Sequence, residues 1–282
     1  MTSPRVLVFD SGVGGLSIAA CIHRQLPAVR LLYLADNAGF PYGNQPESVV
    51  IERSRDLITA AISEYPCDVI VVACNTASTV VLPHLRAITS IPVIGVVPAI
   101  KPAVALSVSR RIGVLATPAT VRRPYLVDLI SEFADGCSVE RLGNPDLVHW
   151  IERFVTGVPV PEAELSSALQ PFRDTGVDTV VLGCTHYPLI GELLKAQLPE
   201  VKHWVDSGDA IARRAAWLLE QQGHDAGRLK RPVDHLPVDA ALFTGEAPPG
   251  LGTFLDQLDL GCADIRAWWP ATLETATEAG SA

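Results

Sequence analysis

The sequence predicts an α/β protein made of two similar units, each a mainly parallel sheet covered by helices, with a cleft between them. Three observations carry this prediction. Short apolar, β-branched runs alternate with helix-period stretches along the 282 residues, the pattern of strand and covering helix. The runs are continuously apolar instead of alternating, which marks strands buried on both faces. The chain also resembles itself. Asp68 opens DVIVVAC, ending at Cys74, and Asp178 opens DTVVLGC, ending at Cys184. RVLVFDS at 5–11 resembles RIGVLAT at 111–117, and the spacings from these openings to the cysteines are close: 74 − 11 = 63 and 184 − 117 = 67 residues.

In chain order, strands are expected at Val6–Phe9, Leu31–Leu34, Val69–Ala73, Val93–Val97, Ile112–Ala116, Thr179–Leu182 and Ala241–Thr244. Helices are expected at Pro46–Glu64, Ala77–Ile88, Pro161–Arg173 and Asp209–Gln222. The stretch Gln222–Leu236 reads as loop and Glu274–Ala282 as a frayed tail. Residues 1–98 with 208–282 are assigned to the first unit, to which strand Ala241–Thr244 returns, and 99–207 to the second.

Composition narrows the function. With 48% hydrophobic residues and a mean hydropathy of +0.27, the chain is not intrinsically disordered. No apolar run approaches the roughly 18 residues of a membrane span, and MTSPRVLVFD does not read as a secretory signal. The net charge of −9 opposes binding to nucleic acid or an anionic membrane. A cytoplasmic enzyme with a small-molecule substrate is the expectation. Six cysteines without CxxC spacing suggest neither a disulfide framework nor a zinc site. Each is a packed thiol or a reactive one.

Three motifs bear chemistry. Asp10-Ser11-Gly12-Val13-Gly14-Gly15 follows a strand and precedes a helical stretch. A dinucleotide fingerprint would need glycine where Ser17 stands, even though Asp36 could mimic its ribose-binding acid. The turn is otherwise a carboxylate-binding helix start or a plain connection. Asp10, at the strand end, can orient a base. Ala73-Cys74-Asn75-Thr76 puts a thiol near a helix start, which is expected to lower its pKa. Asn75 and Thr76 can donate to a carboxylate. Gly183-Cys184-Thr185-His186 adds an imidazole able to hold a thiolate or accept its proton. One Cys/His pair alone would suggest acyl transfer. Two thiols at matching positions suit a proton removed from one face of a carbon and returned to the other. Pro41-Tyr42-Gly43 is a turn whose backbone can close over a substrate. Cys21, Cys67, Cys137 and Cys262 lack such settings and read as structural.

The ordered set FDSGVGGL, PYG, ACNTAS, LGCTHYP and VDSG resembles the glutamate racemases, of the cofactor-independent aspartate/glutamate racemase superfamily, over about residues 5–222, and LFTG continues it. Singly these motifs are weak; in this order they are specific. The resemblance implies interconversion of L- and D-glutamate for peptidoglycan synthesis, without pyridoxal phosphate, other cofactor or metal. It makes Cys74 and Cys184 the opposed proton donors and acceptors, Cys74 assisted by Asp10 and Cys184 by His186. Glu152 falls where the family has a further acid near the second cysteine; otherwise it lies on a solvated helix face. Substrate contacts would come from Asp10, Ser11, Tyr42, Gly43, Asn75, Thr76, Thr185 and His186, with Thr117 and Thr120 at the matching strand end of the second unit. Arg123 stands where the family often has a small residue. It resembles versions that take a cell-wall precursor as activator; otherwise Arg122 and Arg123 are surface arginines. A homodimer is compatible with the resemblance. An aspartate or hydantoin racemase of the superfamily, and a gyrase-modulating binding protein on this fold, are the alternatives.

Overall fold

A computed structural model describes residues 3–270; the expected tail Glu274–Ala282 lies outside them. The described strands are β1 (Arg5–Asp10), β2 (Arg30–Ala35), β3 (Val69–Val72), β4 (Val93–Gly95), β5 (Arg111–Ala116), β6 (Ser138–Gly143), β7 (Thr179–Leu182), β8 (His203–Val205), β9 (Val238–Phe243) and β10 (Ile265–Arg266). They form a six-stranded sheet, β10-β9-β2-β1-β3-β4, and a four-stranded sheet, β6-β5-β7-β8. Every pairing is parallel.

The internal repeat is a repeat of topology. The order β2-β1-β3-β4 recurs as β6-β5-β7-β8. Registers recur too: Phe9 pairs with Val72, and Leu115 with Leu182. The amides of Asp68 and Asp178 donate to Arg5 O and Arg111 O at 2.8 and 3.1 Å. Those of Ala73 and Gly183 donate to Phe9 O and Leu115 O, both at 2.7 Å. Asp10 therefore corresponds to Ala116, Ser11 to Thr117 and Cys74 to Cys184.

Two-sided burial explains the unbroken apolar runs. On β1, Val6 and Val8 join the core on one face while Leu7 and Phe9 join the other. On β5, Ile112 and Val114 face one way and Leu115 the other. The strands absent from the expectation are β6, β8 and β10, all at sheet edges. An edge strand is half solvated and need not be apolar; β6, SVERLG, has no fully buried residue.

Two expected helices are each broken in two. Ala77–Ile88 comprises Asn75–Ser78 and Leu82–Ile88. Pro161–Arg173 comprises Glu162–Ala168 and Gln170–Thr175. Pro83 and Pro171 sit in the first turn of each second piece, where a missing N–H costs nothing. The expected loop Gln222–Leu236 contains a short helix, Ala226–Leu229, whose start is capped by Asp225. Strand β9 does return to the first sheet, beside β2. The chain crosses between the sheets twice, and the crossings are tied by Ser207 Oγ donating to Val97 O at 2.5 Å. No described helix is long and apolar enough to cross a membrane.

Candidate active site

The carboxyl ends of β1, β3, β5 and β7 face one cavity with an empty volume of about 590 Å³, counting space open to solvent at its mouth. Strand carboxyl ends are where parallel sheets bind ligands. Cys74 and Cys184 both line it, and both are free and buried. So do Asp10, Ser11, Tyr42 and Gly43 from the first sheet's connections. Asn75 and Thr76 follow Cys74 on the wall, Thr185 and His186 follow Cys184, and Thr117 and Thr120 complete the opposite side. All ten residues named as substrate contacts thus share one cavity. Glu152 does not line it and stands behind His186.

The two thiols have different surroundings. Cys74 Sγ lies 3.7 Å from Ser11 Oγ. Burial, then the Asp10 carboxylate, pushes this thiol up to about 12. This reverses the lowered value expected from a helix start: the helix that follows has only four residues, too short for its dipole to offset desolvation. Cys184 Sγ lies 3.6 Å from His186 Nδ1, and His186 Nε2 is 2.7 Å from Glu152 Oε1. Burial alone would lower the His186 pKa. The bonds and charges of Cys184 and Glu152 outweigh it and hold the imidazole well above its ordinary value. Glu152 Oε1 also accepts from the Val13 amide at 2.8 Å, so the solvated-face alternative is set aside.

Asp10 is fully buried. Its Oδ2 accepts from Thr185 Oγ1 at 2.9 Å and its Oδ1 from the Gly12 amide at 3.0 Å. It reaches Cys74 by its field, with no hydrogen bond between them. Burial raises its pKa, against the lowering effect of His186, Thr185 and Gly12.

Some assignments change. Tyr42 lines the cavity, but its hydroxyl donates to Asp36 Oδ2 at 2.6 Å. Asp36 also accepts from Arg53 and Thr244, so it anchors a strand end and does not line the cavity. The turn after Asp10 offers no free amides to a carboxylate at Gly12 and Val13, since Asp10 and Glu152 occupy them. Arg123 Nη1 donates to Glu47 Oε1 at 2.8 Å, an exposed pair.

Seven further wall residues, Phe40, Asn44, Pro118, Ala119, Asn144, Pro145 and Val148, escaped the sequence reading. Asn144 follows β6, the edge strand without an apolar signature. Its Oδ1 accepts from the amides of Asp146 and Leu147 at the start of helix Leu147–Val155. That Asn-x-x-Leu start was the available signal. Asn75 has the opposite condition. Its amide is buried, with neither its oxygen nor its nitrogen partnered, on the wall of the cavity.

Two register-matched parallel sheets meeting at such a cavity define the class, and the comparisons give the family. Residues 7–215 match the Asp/Glu/hydantoin racemase family. A glutamate racemase of Klebsiella pneumoniae (strain 342) is 51% identical over 225 residues, covering 79% of this chain and 80% of that one. One of Shewanella loihica is 49% identical over 218 residues, covering 77% and 82%. The crystal structure of Escherichia coli glutamate racemase, in complex with L-glutamate and the activator UDP-MurNAc-Ala, superimposes with a TM-score of 0.83 at 44% identity, covering 94% of this chain and 98% of that one. The chain belongs to the Asp/Glu/hydantoin racemase family, and within it to the glutamate racemases.

Proposed function

We propose that this chain interconverts L- and D-glutamate by a two-base proton transfer between Cys74 and Cys184, supplying D-glutamate for peptidoglycan synthesis. One observation carries the mechanism: two free, buried cysteines at register-matched strand ends line the same cavity. One sulfur removes the Cα proton while the other delivers a proton to the opposite face, so no net proton is gained or lost. With its pKa near 12, Cys74 rests as a thiol, ready to donate. Cys184 faces the His186 imidazole, whose pKa is held well above its ordinary value by Cys184 and Glu152, and an imidazole in that place can take or return the proton of the sulfur. This resting form suits the enantiomer whose Cα–H points at Cys184, which the family resemblance makes L-glutamate. The mirror protonation state serves the other enantiomer.

The Cα proton is too weakly acidic for a thiolate in water, so the site must stabilise carbanion-like charge. The unpartnered Asn75 amide, with Thr76 and Thr185 hydroxyls, would take up that charge through hydrogen bonds to the α-carboxylate. Closure of the unit 1–98 plus 208–282 over 99–207 would exclude water and strengthen those bonds. A UDP-linked cell-wall precursor, as bound to the E. coli relative, is the proposed activator.

The test is incubation with L-glutamate in deuterated water, after chelator treatment and dialysis. Early product should be D-glutamate carrying deuterium at Cα, while recovered L-glutamate stays unlabelled. Early labelling of both enantiomers would indicate a single base. Absent racemisation restored by pyridoxal phosphate would overturn the cofactor-free reading. The same assay with and without UDP-MurNAc-Ala checks the activator.

A further inference from the structure

The relay behind Cys184 does not end within its own half of the molecule. Glu152 Oε1 accepts from His186 Nε2 at 2.7 Å and from the Val13 amide at 2.8 Å. Val13 lies in the turn after β1, on the other sheet's side of the cavity. The amide belongs to the Gly12–Val13 peptide, whose carbonyl oxygen accepts from the buried Tyr33 hydroxyl at 2.6 Å. In a trans peptide the C=O and the following N–H point in opposite directions. A bond that fixes the oxygen therefore aims the N–H. The Gly12 amide is also held, by Asp10 Oδ1 at 3.0 Å. Burial keeps the Tyr33 pKa well above its ordinary value, so the hydroxyl remains a donor.

The glycines of this turn have the same explanation. A Cβ on Gly12 would overlap Glu152 Oε1, and one on Gly14 would overlap His186 Nδ1 and sit 2.7 Å from Thr185 Oγ1. Glycine at 12 and 14 thus lets the turn lie flat against the imidazole and carboxylate of the opposite half. Gly12, Val13 and Gly14 are absent from the cavity wall, and at Gly12 and Gly14 the turn meets side chains of this protein.

We infer that the Gly12–Val13 peptide, pinned by Tyr33, is a positioning element that orients Glu152 and, through it, His186 toward Cys184. Tyr33 is a positioning residue for a base carried on the other sheet, although no atom of it lines the cavity. The base at Cys184 is fully assembled only when the two halves are together. This rests on the reading that His186 and Glu152 serve Cys184.

The experiment compares wild type, Tyr33→Phe, Glu152→Ala and the double variant, measuring kcat and KM in both directions. Tyr33→Phe keeps the ring and removes the donor. Loss of one such bond should lower kcat by about two- to tenfold in the direction that uses Cys184 as base and less in the other, with KM shifting so that kcat/KM stays equal in both directions. In the Glu152→Ala background the same change should have no further effect on kcat. If the two losses multiply, Tyr33 acts elsewhere and the inference is overturned while the role of Glu152 stands. If Glu152→Ala leaves kcat unchanged, the underlying reading fails and takes the inference with it.

Should Tyr33→Phe not fold, Gly12→Ala carries the same cycle, since the atom it would strike is removed in Glu152→Ala. A ¹⁵N NMR titration of His186 separates positioning from simple stability. Asp10, Cys184 and Glu152 act on this ring, and His149 lies beyond Phe40. With Glu152 loosened, the His186 pKa should fall in Tyr33→Phe relative to wild type. An unmoved titration would overturn the inference.

Discussion

Phe9 pairs with Val72, and Cys74 follows two residues after Val72; Leu115 pairs with Leu182, and Cys184 follows at the same step. Each cysteine ends an inner strand and faces the shared cavity. Around these matching positions the side chains diverge. The first sheet gives its thiol a serine hydroxyl and the field of a buried carboxylate. The second has Ala116 where the first has Asp10, and gives its thiol an imidazole backed by Glu152. The difference teaches that the repeat keeps the positions of the two sulfurs on one cavity and not their electrostatics. Burial and Asp10 push the first thiol up, whereas the second lies against an imidazole whose own pKa is held above its ordinary value.

The strongest way to break this comparison is to remove either thiol. Cys74→Ser and Cys184→Ser should each lower racemisation by about 10²–10⁴-fold, the range for a lost acid/base group. Near-normal turnover of chiral glutamate in either variant would mean that one base suffices. Cys21→Ser, Cys67→Ser, Cys137→Ser and Cys262→Ser should keep kcat, because none of these residues lines the cavity.

The asymmetry itself is sharpened by His186→Asn and Glu152→Gln. Losing a hydrogen bond to a charged group corresponds to roughly a 10–150-fold loss in kcat. The loss should differ between the two directions. Because enantiomers have an equilibrium constant of one, kcat/KM must remain equal in both directions, so the asymmetry can reside only in kcat and KM separately. Equal kcat losses in both directions would assign these side chains to binding.

Asn75 separates binding from stability. Asn75→Ala should lower kcat/KM for glutamate by about tenfold, yet leave Tm unchanged or slightly higher, because the amide it removes has no partner in the free protein. A large fall in Tm would show that Asn75 is structural.

The smallest expected effect compares two buried aspartates at neighbouring strand ends. Burial raises the Asp10 pKa, so the folded state binds its proton more tightly than the unfolded chain does. Stability from this group falls as pH rises from its unfolded pKa through its folded one. For Asp36, burial acts upward but the bonds from Arg53, Tyr42 and Thr244 prevail and lower the pKa. Its contribution is present above the unfolded pKa and is lost as pH falls through the folded one. At neutral pH, thermal melts should therefore show Asp10→Asn raising Tm by about 2–4 °C per kcal/mol gained and Asp36→Asn lowering it. A fall in Tm for Asp10→Asn would mean that its bonds outweigh its desolvation.

The sequence by itself determined the inner strands, the two-unit repeat and both cysteines. Each of these is written locally: a strand buried on both faces must be apolar throughout, and a strand-end thiol is marked by the strand before it. It also picked out ten residues that share the cavity wall with the cysteines, most of which follow strand ends directly. The edges β6, β8 and β10 were not legible, since a half-solvated strand carries no unbroken apolar run. Asn144 was lost with β6. Only the tertiary structure decided how the site residues act on one another. The helix-start motif of Cys74 suggested a lowered pKa, but burial and Asp10 set the opposite sign, and both arise from packing. Tyr42 spends its hydroxyl on Asp36, 6 residues away. Glu152 finds the Val13 amide 139 residues away. The glycines at 12 and 14 resembled a ligand-binding turn in sequence; what they accommodate is His186 and Glu152. Sequence spacing fixes which side chains leave a strand end, whereas desolvation and hydrogen-bond partners depend on chain segments that meet only when the two sheets come together.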